Sequence, residues 1–217
     1  VDKTILIAPY EGVLAAALAE RARDTGWSVV LAAAQKTTSN PQNPAPLPGT
    51  KVVAYEPRSC ASVSALILSA ANALGKEIEA AVIMSGAVTD KADFPAGRPA
   101  DIAQLVDTHC AGPLYLAREL VRRFEERGRG RILLFALENP RDAEAGPPAA
   151  LVYGAFEGLG RGLFAASSGK TWNAYGLRDA GGQPDRAARF ALELLEEGRP
   201  ARAGRWIRFS GKSGLFG

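Results

Sequence analysis

Thiols and imidazoles are scarce: the chain carries two cysteines, Cys60 and Cys110, and one histidine, His109. Two cysteines cannot build a disulfide framework, and the pattern predicts unreactive thiols in a reducing, cytoplasmic setting. One histidine with no cysteine cluster beside it offers no zinc-ligand spacing. No apolar run approaches the ~20 residues that a membrane span needs. The opening "VDKTILIAPYEG" passes straight into a strand pattern, so no signal peptide is expected. An excess of one charge is also missing, with a formal net charge of +3. Arginines gather at Arg122, Arg123, Arg127, Arg129 and Arg131, but Glu125 and Glu126 interleave them, the pattern of a solvated helix end. No nucleic-acid module signature is present. These absences exclude a disulfide scaffold, a zinc centre, a membrane partner and a nucleic-acid partner. What is left is ordinary: 217 residues, 47% apolar, enough for one domain over 1–217 with a full core.

The chain alternates between two periodicities. Short apolar runs at Thr4–Ala8, Ser28–Ala33, Lys51–Tyr55, Ala80–Met84 and Arg131–Ala136 read as strands, several of them apolar enough to be buried on both faces. Thr171–Tyr175 and a stretch near Arg205–Phe209 close the set. Between them lie helical patterns at Glu11–Asp24, Ser62–Leu74, about 101–127, about 150–166 and Asp185–Glu197. Residues 35–50, "QKTTSNPQNPAPLPGT", hold four prolines and read as a loop. This alternation predicts an α/β fold: a Rossmann-type three-layer sandwich on a doubly wound parallel sheet of about seven strands.

Seven stretches carry a more specific likeness. "APYEGVLA" follows the first strand, "AAVIMSGA" ends the fourth with Gly86, and "DTHCAGPLYLARELV" covers Asp107–Val121. "GRILLFALEN", "YGAFEGLGRGLFAA", "TWNAYG" and "ARAGRWIRFSG" follow in order. In order and spacing the chain resembles the short-chain dehydrogenase/reductase family over about 200 of its residues. The resemblance implies a nucleotide turn after the first strand, a catalytic Asn, Ser, Tyr and Lys, and a dimer built on the helices at 101–127 and 150–166.

The implied functional positions have changed. The family's first turn, Thr-Gly-x-x-x-Gly-x-Gly, lets the backbone approach a pyrophosphate at a helix N-terminus. Here Ala8 and Pro9 replace the first pair, Gly12 is kept, and Leu14 stands where the last glycine belongs. Glu11 brings negative charge to the phosphate position, or serves as a plain helix-capping acid. Gln35 or Lys36 stands where a ribose or 2′-phosphate contact is expected, and Glu56 where an acid would meet adenine. The serine position falls on Ala136 or Leu137. Asn becomes His109, Tyr stays as Tyr153, and Lys becomes Glu157. A phenol at pKa ~10 is ionised in about one molecule per thousand at pH 7. A nearby carboxylate is expected to raise that pKa further.

The expected function is non-catalytic: a subunit, scaffold or small-molecule binder with no cofactor, paired with itself or with an active homologue. The alternative is an atypical NAD(P)-dependent oxidoreductase using Tyr153 and His109. A second alternative is a cofactor-independent enzyme in the vacated cleft. In halohydrin dehalogenases, relatives of this fold, an aromatic residue fills the nucleotide's place; Tyr10 could fill it here in a similar way, leaving the cleft either open or plugged by Tyr10 and Leu14. Gly154, Gly158 and Gly162 share one helix face, with Gly160 beside them. They point either to a close-packed partner or to close packing on the chain's own sheet.

Overall fold

The computed structural model describes residues 3–34, 45, 47–85, 97–137, 146–179, 182–198 and 202–209. Seven strands form one sheet: β1 (Thr4–Ala8), β2 (Ser28–Ala34), β3 (Lys51–Tyr55), β4 (Ala80–Met84), β5 (Gly130–Leu137), β6 (Trp172–Asp179) and β7 (Trp206–Phe209). Their order is β3-β2-β1-β4-β5-β6-β7, and every pairing is parallel. Among the described residues six α-helices flank the sheet: α1 (Gly12–Asp24), α2 (Cys60–Leu74), α3 (Pro99–Val106), α4 (Gly112–Arg127), α5 (Gly146–Ser167) and α6 (Pro184–Glu197). This is the Rossmann-type doubly wound α/β sandwich that the alternation predicts.

Strand parity divides the core into two layers. Ile5, Ile7, Val29, Leu31, Val82, Leu133 and Phe135 face α1 and α6. Leu6, Ala8, Val30, Ala32, Ala81, Ile83, Ile132 and Leu134 face α2, α4 and α5. Both faces are covered, which is why these strands are apolar throughout rather than alternating. Each fully buried Leu, Ile or Phe contributes about 1.5–3 kcal/mol of transfer free energy.

Two expectations need correction. The helix expected over 101–127 is not one α-helix: its hydrogen bonds shift to a π-type turn over Asp107–Ala111, between α3 and α4. Pro113 explains the shift, because it has no N–H to give the His109 carbonyl one α-turn back. The strand expected over Thr171–Tyr175 runs on to Asp179, pairing with β5 on one side and β7 on the other. Gly176 permits this, since an added Cβ there would lie 2.5 Å from the Trp206 ring and 2.6 Å from Phe164.

Candidate functional site

A pocket opens at the C-terminal ends of β1, β2, β3 and β4. From β1 the sheet continues to β2 on one side and to β4 on the other. That reversal is where open α/β sheets hold their ligands. The pocket is small, about 40 Å³. Pro9, Pro57, Ile83, Met84 and Leu116 make its apolar walls, and Glu11, Tyr55, Thr108 and His109 supply its polar groups.

Each polar group is placed by a local feature. Glu11 is the N-cap of α1, in extended backbone geometry, and its side chain makes no capping hydrogen bond. Its charge therefore meets the α1 terminus through the helix dipole and not through a side-chain capping bond. Gly12 follows with φ of +72°, a conformation that glycine adopts at little cost, and this lets the helix start directly over the cleft. Thr108 and His109 sit in the π-type turn, which directs them into the cleft. The turn is brought down onto α2's approach by Gly112, where an added Cβ would come within 3.0 Å of Pro57. Tyr55 ends β3 and is 95% buried, its exposure being 5%.

Burial pushes the His109 imidazole below its ordinary pKa, so it is neutral at pH 7. The Tyr55 phenol is pushed up, first by burial and then by the carboxylates of Glu11 and Glu56, so it keeps its proton. Glu56 accepts hydrogen bonds from its neighbour Arg58, from Nε at 2.9 Å and from the backbone N–H at 3.2 Å. Its carboxylate is thus held beside β3 and does not line the pocket.

Tyr10 does not fill the cleft. The chain leaves β1 at Pro9, after a cis Ala8–Pro9 bond, and carries Tyr10 to the α1/α6 side of the sheet. There its N–H donates to the Ala32 carbonyl at 2.8 Å and its hydroxyl to the Ala45 carbonyl at 3.3 Å. Leu14 is buried in the same layer. The cleft is bordered by Pro9 and Glu11 instead.

Tyr153 and Glu157 lie on α5, which packs beside the π-type turn, yet neither lines the pocket with His109. Tyr153 packs against the α2/α4/α5 layer. Glu157 is not a bare carboxylate aimed at the phenol: its Oε1 lies 2.5 Å from the Arg178 guanidinium of β6. Arg178 in turn lies 5.3 Å over the Trp206 ring, which contacts Phe156 and Phe164. An opposite charge this close offsets the repulsion expected at Tyr153. The serine position has no hydroxyl, since Ala136 is fully buried and Leu137 ends the strand. Ser85 stands nearby, its Oγ accepting from the Leu137 N–H at 3.0 Å. Gln35, Lys36 and Gly86 lie outside the described residues.

Sequence reasoning placed Glu11 and His109 in the cleft but missed Tyr55 and Thr108. Tyr55 had one signal, its position beside the flagged Glu56 at a strand end. Arg178 had none, because its pairing with Glu157 depends on the register of α5 over β6. Among the described residues no cluster of side chains could hold a metal ion, and no helix is long and apolar enough to cross a membrane.

No family model matches the sequence, and no curated protein matches it. The fold has known counterparts. The chain is similar to a gluconate 5-dehydrogenase from Burkholderia cenocepacia J2315, solved with NADP and tartrate, at a TM-score of 0.75 and 18% identity. The match covers 97% of this chain and 95% of that one. At this identity the likeness is one of fold, the Rossmann-type α/β sandwich described above.

Proposed function

We propose that the chain is a non-catalytic member of this architecture, a small-molecule binder that acts as a dimeric subunit. The observation that carries the reading is the Glu157–Arg178 pair. The residue four positions after Tyr153, where the resemblance calls for a lysine, is an anion whose charge is engaged by β6. Glu157 has no proton-bearing cation to offer a phenol or a ribose. Glu11 supports the reading from the other end of the cleft, where the resemblance calls for a phosphate-binding turn and the pocket is lined by an acidic residue instead.

The dimer is proposed on the outer faces of α3, α4 and α5. Three of the α5 glycines, Gly154, Gly158 and Gly162, face open space, with no atom within 4 Å of an added Cβ. The alternative, close packing on the chain's own sheet, applies only to Gly160, which meets Trp206. An active homologue as partner is the other assembly that would use this face.

The test is calorimetric titration with NADH and NADPH up to millimolar concentration. No heat of binding is expected from either. Micromolar binding would overturn the reading and favour an oxidoreductase with an unusual phosphate turn, in which Tyr153 and His109 face a substrate.

A further inference from the structure

Several buried polar atoms lack a hydrogen-bond partner and are sealed from solvent, among them the Tyr175 hydroxyl and Trp172 Nε1. Atoms so enclosed can receive no ligand. The Tyr55 hydroxyl differs from them. Its residue is only 5% exposed and makes no side-chain hydrogen bond to a described residue, yet the hydroxyl is not sealed, because Tyr55 lines the pocket. Thr108 and His109 line the same pocket, and their side chains make no hydrogen bond to a described residue either. Folded proteins seldom leave three such groups unsatisfied around one cavity.

The three groups are uncharged at neutral pH: Tyr55 keeps its proton, His109 is held neutral by burial, and Thr108 does not titrate. Each can donate one hydrogen bond and accept another. The described lining has no lysine or arginine to pair with an anion. Its one carboxylate, Glu11, has an interaction of its own and is no spare counter-charge for a cation. Pro9, Pro57, Ile83, Met84 and Leu116 form walls that cannot solvate an ion. An unpaired charge costs far more to take out of water than an amide or a hydroxyl, whose cost is recovered once its hydrogen bonds re-form. The size is restrictive as well. A water needs about 10–15 Å³ of such space, so a cavity of about 40 Å³ takes a head group and a short chain, not a large ring system.

We infer that this pocket binds an uncharged head group that donates and accepts at once, a primary amide or a hydroxyl, on a chain of a few carbons. Tyr55, Thr108 and His109 hold the head group, and Pro57, Met84 and Leu116 meet the carbons. A primary amide carries two N–H donors and a carbonyl with two lone pairs, so a single head group can satisfy all three side chains. The inference deepens the reading of the chain as a small-molecule binder and rests on it.

His109 is the only histidine in the chain, so its ring gives a single, unambiguous NMR signal inside the pocket. The test follows that signal at neutral pH while propionamide, 1-propanol, sodium propionate or n-propylammonium chloride is added to high millimolar concentration, the range in which so few atoms bind. Propionamide, 1-propanol or both are expected to shift it saturably. Propionate has the shape of the amide and differs in its charge, and neither it nor propylammonium is expected to give a saturable shift. Tyr55→Phe removes the hydroxyl alone. That hydroxyl has no described partner to lose, so the variant is expected to match or exceed the wild type in stability. It is expected to bind the neutral probe about fivefold more weakly, the scale of one hydrogen bond. The inference is overturned by an unmoved signal with both neutral probes, or by an equal saturable shift with either ion. It is also overturned by a less stable Tyr55→Phe, which would mean that the hydroxyl is already bonded within the protein, or by undiminished binding in both Tyr55→Phe and Thr108→Val. Nucleotide binding in the calorimeter would instead remove the reading of function beneath it, so the two failures are told apart.

Discussion

At the scale of single residues, the cleft holds a histidine with no charged partner among the described residues. His109 is kept neutral by burial alone, with its pKa below the usual 6.5. In the unfolded chain the ring regains its ordinary pKa of ~6.5 and takes a proton first as the pH falls. The unfolded state then binds more protons than the native one, so stability rises with pH through that window. The contribution is fully present above pH ~6.5 and is lost as the pH falls toward the native pKa. Urea denaturation at several pH values below neutrality is expected to show this slope, and His109→Gln is expected to flatten it. A slope of opposite sign would mean that an anion reaches the imidazole. The neighbour best placed to do so is Glu11, which lines the same pocket. Glu196 acts in a separate window: Lys3 and the Trp27 N–H hold its pKa down, so its contribution is lost only as the pH falls through the carboxylate range.

Among the elements, α5 shows how one helix serves two surfaces. Gly160 faces inward, and an added Cβ would lie 2.4 Å from Trp206 Cζ2. The indole is a rigid ring packed against Phe156 and Phe164 and over Gly176, so an added methyl must displace it as a unit. Gly160→Ala is therefore expected to lower stability by about 1–3 kcal/mol, the cost of overpacking a filled core. The gain in helix propensity, about 1 kcal/mol, does not offset it. Denaturant midpoints would decide, and a more stable variant would refute the packing argument. Elements of this kind were legible to different degrees. Strands β1 and β4 were plain, because burial on both faces demands unbroken apolar runs. The end of β6 was not, because Gly176, Arg178 and Asp179 look like loop residues until Trp206 and Glu157 are seen to receive them. The π-type turn was hidden inside an otherwise regular helical pattern, with Pro113 its one sign. Tyr10 was misplaced because strand parity says nothing about the side a chain takes after leaving the strand at Pro9. Arg178 could not be paired with Glu157 from sequence at all, since only the sheet order brings β6 beneath α5.

At the scale of the whole molecule, the sandwich is covered on both faces, yet one outer surface stays unusually apolar. Helix α3 carries Ile102, Leu105 and Val106 with none of them fully buried. Leu114 on α4 is 53% exposed and Leu151 on α5 is 52% exposed. Beside Leu151 run Gly154, Gly158 and Gly162, each costing about 1 kcal/mol against alanine in a solvated helix. A face that gives up helix propensity and leaves leucines in water is stabilised when a second surface covers it, and a stable dimer covers about 800 Å² per partner. Sedimentation velocity or light scattering is expected to give twice the chain mass. Gly158→Leu is the decisive variant. No described residue beyond the helix itself lies within 4 Å of the Gly158 Cβ position, so the leucine is accommodated there and improves the helix. It would collide only with a backbone approaching from a partner. The expected outcome is therefore a folded protein with unchanged secondary structure and a dimer constant weakened by tenfold or more. A monomeric wild type, or a dimer indifferent to Gly158→Leu, would move the interface elsewhere. A dimer seen only with an enzymatically active homologue would assign this face to that partner and leave the cleft chemistry as derived.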